Sequence, residues 1–106
     1  MFLALRGQMT RLTPEARPAV IGSLGEKDVL AKRLRSEDWN AVHLIIRGNV
    51  LTHLINGQVM SIVVDEDSAA RTVSGLIGVQ VHVGPPMKIE YRNFLLKILP
   101  PASAAD

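Results

Sequence analysis

Two dipeptides, Gly48-Asn49 and Asn56-Gly57, constrain the fold more than any other feature of the chain. A two-residue hairpin loop demands positive φ, which Gly and Asn supply at low cost. The segments beside them, residues 41–47, 50–55 and 58–64, alternate with period two and are rich in β-branched side chains, as strands are. A three-stranded meander is the expectation. Such hairpins set Arg47 opposite Val50 and Ile55 opposite Gln58, and register then decides the faces. Val42, Leu44, Ile46, Leu51, His53, Ile55, Met60 and Ile62 share the face expected to be the core side. Ala41, His43, Ile45, Arg47, Thr52, Leu54, Val59 and Ser61 share the other, which is too polar for a core and too apolar for a free surface.

Upstream, residues 1–6 read as the tail of a strand, 8–12 as a short strand ended by the turn-forming stretch 13–18, and 19–24 as a third. Between Gly25 and Arg35 the period changes: Val29, Leu30 and Leu34 fall on one side, with acids early and bases late. That pattern suits one short helix around residues 26–36. Downstream, residues 65–71 form a polar loop, 74–83 and 88–98 read as two further strands, and 100–106 as a frayed tail.

A chain of 106 residues is at most one small domain, and such a domain buries only about 60–70% of its unfolded surface. Apolar residues make up 47% and charged ones 21%, which excludes disorder except at the ends. Twelve Lys and Arg against ten Asp and Glu leave +2, scattered without a basic stripe, so nucleic acid is not an expected partner. No apolar run approaches the ~20 residues that span a bilayer, and the apolar start at residues 1–5 is far shorter than a signal-peptide core. The absence of cysteine excludes disulfides, thiolate metal sites and thiol nucleophiles without fixing a compartment. Gly-rich phosphate loops, a serine nucleophile elbow and the HExxH zinc pattern are absent as well.

Several ordered segments together carry a resemblance: Asp38-Trp39-Asn40, Ile46-Arg47-Gly48-Asn49 to Thr52-His53, Asn56-Gly57, and the loop from Val64-Asp65-Glu66-Asp67 to Arg71. Ser74-Gly75-Leu76, Gln80-Val81-His82-Val83-Gly84-Pro85-Pro86-Met87 and Tyr91-Arg92-Asn93 complete the set. In this order they resemble the 3-keto-disaccharide hydrolase domain family. The resemblance implies an all-β, concanavalin-like jelly-roll sandwich, and residues 1–99 align with the C-terminal half of that domain. The chain thus looks as if it begins mid-domain, with an interior strand behind an initiator Met. Unpaired sheet edges and self-association are the physical consequence expected of such a half. Relatives are often exported.

The resemblance implies cleavage of glycosides oxidised to a ketone at C3, with a carbohydrate as the partner. A C3 ketone acidifies the C2 proton, so a base removes it, the C1 substituent leaves, and water adds. Hydrogen-bond donors or a divalent metal would stabilise the enolate oxygen. His82 is the candidate base or metal ligand, Gln80 the candidate hydrogen-bonding group for substrate, and His53 a lower-ranked substrate contact. In residues 78–83 the valines share one face, and Gly78, Gln80 and His82 the other. That arrangement suits a sugar, although a surface pair on a half-buried strand reads the same way.

His53 among Leu51, Ile55 and Met60 is by default a buried imidazole bonded to backbone, and His43 has no motif behind it. Asp65, Glu66 and Asp67 offer oxygen ligands for Ca²⁺ but lack EF-hand spacing, so a solvated loop is the expectation. Trp39 suits a core anchor better than a sugar platform, and Glu90 with Arg92 a surface ion pair. A non-catalytic lectin-like module is the rival reading, and an inactive remnant a third.

Overall fold

A computed structural model describes residues 2–72, 74–80 and 84–100. Its elements are β1 (Gln8–Thr13), β2 (Ala16–Ser23), α1 (Lys27–Ala31), β3 (Val42–Arg47), β4 (Val50–Ile55) and β5 (Gln58–Asp65). The strands form one sheet of five in the order β2-β1-β5-β4-β3. All neighbours are antiparallel except β1 and β5, which run parallel. The chain is all-β with one short helix, as expected. The described residues supply a single sheet, and the second layer of a jelly-roll sandwich is not among them.

The meander forms in the expected register, with Arg47 opposite Val50 and Ile55 opposite Gln58. Its turns differ in type. Gly48 has φ 60° while Asn49 is not left-handed, as in a type II′ turn, whereas Asn56 and Gly57 have φ 51° and 79°, as in type I′. Beyond the second turn the expected face assignment fails. His53 pairs with Ser61 but Leu54 with Val59, so Met60 is an extra residue on β5. A bulge of this kind shifts the side chains after it by one. Val63, not Ile62, therefore lies opposite Leu51, and Ser61 joins His53 on the face expected to be the core. Ile62 lies opposite Thr52 on the other face.

The core sits where β1 meets β5, not under β3. Thr10 is 1% exposed, Met60 2%, Leu30 6% and Val63 7%. Thr10 pairs with Val63 and satisfies its hydroxyl by donating from Oγ1 to the carbonyl of Leu3 at 2.7 Å. Val42, Leu44 and Ile46, expected in the core, are each more than 60% exposed. They lie on the edge strand, and nothing described covers that end of the sheet.

Gly7 ties the core together. Its N–H donates to the carbonyl of Met60 at 2.7 Å, and its carbonyl accepts from Leu24 at 2.8 Å. At φ 91° it lies within the left-handed range, and a Cβ there would meet the Gly25 carbonyl oxygen at 2.5 Å. Only glycine fits such a junction. Leu30 packs against the same two glycines.

Three other expectations are corrected. Residues 2–6 are not a strand: Leu5 and Gln8 close a turn, with Gln8 N–H donating to Leu5 O and Leu5 N–H to Gln8 Oε1. The helix ends at Ala31 instead of near residue 36. Bonds from Lys32, Arg33 and Leu34 reach back three residues, and the groups that would extend the helix are taken by side chains. Asn40 binds both N–H and C=O of Arg35, and Asn56 binds the carbonyl of Arg33. Finally, the described parts of the two expected C-terminal strands, residues 74–80 and 88–98, belong to no ladder. Strand propensity acts through pairing with neighbours, and these segments leave Leu76, Leu95 and Ile98 almost wholly exposed. Asn93, at φ 58°, also breaks the extended run. Of the expected tail at residues 100–106, residues 101–106 lie outside the described residues.

Candidate functional site

The chain bends at Gly84, Pro85 and Pro86. Two pyrrolidine rings fix φ in succession and stiffen the bend. The bend and the residues after it border an open groove of about 480 Å³ lined by Gln80, Pro85, Pro86, Met87, Lys88, Ile89 and Tyr91. Met87, Ile89 and Tyr91 supply apolar parts of its wall. Tyr91 is supported by Phe94, with ring centroids 6.3 Å apart at 36°. Lys88 Nζ lies 3.3 Å from Glu90 Oε1 in a largely exposed ion pair. That pair corrects the expected one: Glu90 is partnered by Lys88, while the Arg92 guanidinium stands 3.9 Å above the Trp39 ring. One face of Trp39 is thus covered by a cation, and the ring is neither a core anchor nor an open platform.

Of the sequence-derived candidates, Gln80 lies in the groove, where its amide offers both donors and an acceptor. His82 lies outside the described residues. His53 is not in the groove. It is half-buried on β4 between Leu44 of β3 and Ser61 of β5. The backbone bond expected for its imidazole is not made among the described residues. His43 is exposed on the opposite face of β3.

The acidic loop closes on itself as expected of a solvated turn. Asp65 Oδ1 accepts from Asp67 N–H and Asp67 Oδ1 from Ala70 N–H, both at 3.0 Å. Glu66 approaches Arg11 at 3.7 Å. Among the described residues no three His, Asp or Glu side chains converge to hold a metal ion, so no metal site is assigned. Apart from Gln80, none of the groove residues, Tyr91 and Lys88 among them, stands out from the sequence as functional. Their one signal there is the alternation after the double proline.

A family model described as a 3-keto-alpha-glucoside-1,2-lyase-like domain matches residues 10–97. The chain belongs to that family. Its name marks a carbohydrate-active, enzyme-like domain. The matched span takes in all five strands from Thr10 onward, both meander turns and the whole groove. No curated protein and no solved structure matches the chain. Of the membrane-spanning alternatives, no described helix is long and apolar enough to cross a bilayer.

Proposed function

We propose that the 3-keto-glucoside lyase-like domain takes part in breaking 3-keto-glycosides or 3-keto-disaccharides by elimination. The family match over residues 10–97 carries this reading. The groove supports it, because a sugar needs an apolar wall for its C–H face and amide or hydroxyl groups for its oxygens. Tyr91 and the prolines are suited to the first and Gln80 to the second.

In this reading the neutral imidazole of His82 removes the C2 proton, made acidic by the C3 ketone. The C–H electron pair becomes the enolate, which re-forms the ketone as the C1–O bond breaks. The departing oxygen takes a proton, and water adds to the new C1–C2 double bond at C1. Gln80 holds sugar hydroxyls, and His53 is the second-ranked substrate contact. The rival reading is a lectin-like module, which would use the same groove without making a product.

Proton abstraction can be tested apart from the later steps. Residues 1–106 in D₂O with a 3-keto-glucoside should exchange the C2 proton with little or no complete turnover, both followed by NMR, and His82→Ala should abolish the exchange. Exchange that persists in His82→Ala removes the assigned base. Saturable binding of oxidised and unoxidised glycan alike, with neither exchange nor product, replaces the enzyme with the lectin-like module.

A further inference from the structure

The two edges of the sheet are not alike. β2 carries Pro18 and two register shifts against β1, irregularities of the kind that blunt an edge. β3 has none of the devices that blunt an edge, namely proline, a bulge or a central lysine. Its pairing with β4 also fixes which backbone groups face outward, away from every described strand. Asn56 N–H donates to the carbonyl of Ala41 at 2.8 Å, and Arg47 closes the hairpin opposite Val50. Alternation then turns the N–H and C=O of residues 41, 43, 45 and 47 toward β4, and those of Val42, Leu44 and Ile46 outward. These three residues also hold the exposed aliphatic side chains of the edge, at 62%, 63% and 62%.

We propose that this β3 edge pairs with the β3 edge of a second copy of the chain, antiparallel about a two-fold axis through Leu44. In that register Leu44 meets Leu44 of the second copy, and Val42 meets Ile46 in both directions. Every outward donor and acceptor finds its mate, since the three pairs are all of the hydrogen-bonded kind. The same register sets aliphatic against aliphatic on one continuous face, the arrangement that cross-strand pairs favour. An isologous contact requires this self-complementarity. The chain's own C-terminal segment is a poorer occupant. It is anchored by Arg92 on Trp39 beside the start of β3, but Asn93 at φ 58° interrupts it before it could match the three outward positions.

The test uses the absence of cysteine in the natural chain. A Leu44→Cys variant places two thiols at the axis, in a hydrogen-bonded pair with Cα atoms ~5.5 Å apart, within disulfide range. Mild oxidation should give a covalent dimer. Val42→Cys alone should give none, because its copies lie about four residues apart along the ladder, whereas Val42→Cys mixed with Ile46→Cys should cross-link. Sedimentation of the unmodified chain should show a dimer that Leu44→Lys weakens about tenfold or more, since like charges would face each other at the axis. Leu44 is exposed, so the lysine variant should keep its circular dichroism. A monomer at all concentrations overturns the proposal. So does a dimer that Leu44→Lys leaves intact, efficient cross-linking through Val42→Cys alone, or protection of the Val42, Leu44 and Ile46 amides from exchange in a monomer, which would assign the edge to the chain's own segment.

Discussion

Asn56 donates from Nδ2 to Oδ1 of Asn40 at 2.9 Å, and this contact helps the β4–β5 turn to hold the end of the helical segment. Both amides are used on two sides. Asn40 accepts from Arg35 N–H and donates to Arg35 C=O. Asn56 accepts from Ala41 N–H and donates to Arg33 C=O. The chain between helix and meander is thereby fixed at both ends by side-chain amides. Together with the buried Leu30, these bonds hold a five-residue helix that has no side-chain cap at Glu26.

Replacing Asn56 should therefore cost more than an exposed turn residue usually does. Asn56→Ala removes its side-chain bonds and forces a Cβ-bearing residue without a compensating amide into the left-handed region. A loss of about 2–3 kcal/mol is expected in urea unfolding. Asn56→Gly keeps the backbone at ease and loses only the bonds, so about 1–2 kcal/mol is expected. Equal losses for the two variants would show that the backbone conformation contributes nothing.

At Gly7 the expected cost is larger, because the obstacle is backbone. Gly7→Ala drives a Cβ to 2.5 Å from the Gly25 carbonyl oxygen, where no side chain can swing aside. The β1, β2 and β5 ends that meet there must separate. About 3 kcal/mol or more is expected, which for a domain of this size lowers Tm by more than ~10 °C. Thermal melting followed by circular dichroism checks it, and a shift of a few degrees would mean that the junction is soft.

The meander was legible in the sequence because its determinants are local. Gly48, Asn56 and Gly57 adopt the positive φ their types favour, and the register follows. The bulge at Met60 left no such trace, since an extra residue in an apolar run looks the same as any other, yet it moved Ile62 and Val63 to opposite faces. The parallel pairing of β1 with β5 was hidden too: it joins Met9 to Ile62 across half of the chain, and neither segment encodes it alone. Strand patterning at residues 88–98 misled for the converse reason, because alternation was present and a pairing partner was not. For the site, Gln80 was legible from its motif, whereas Tyr91 and Lys88 became lining residues only through the bend at Pro85-Pro86.

Arg92 over Trp39 gives a spectroscopic handle, since Trp39 is the one tryptophan in the chain. Removing the guanidinium with Arg92→Ala should shift the Trp39 emission to longer wavelength as water replaces the cation. An exposed cation–π contact of this kind is worth about 0.5–1 kcal/mol, so stability should fall by no more than that. Unchanged emission would mean that the C-terminal segment does not rest on Trp39 in solution.

The groove itself predicts that binding and folding separate. Gln80 and Tyr91 are exposed and contribute to no ladder. Gln80→Ala and Tyr91→Ala should accordingly leave Tm within a degree or two of the unmodified chain, as surface substitutions away from caps and core usually do. If a glycan occupies the groove, each variant removes one of the two kinds of contact it needs: the amide for hydroxyls or the ring for an apolar sugar face. A loss of about tenfold in affinity, equivalent to ~1.4 kcal/mol, is expected from each. The loss from Tyr91→Phe should be smaller, because the ring and its support by Phe94 remain. Calorimetric titration with a 3-keto-glucoside checks the series. Affinity unchanged in both alanine variants would move the sugar site away from the groove, toward the sheet face where His53 lies beside Ser61.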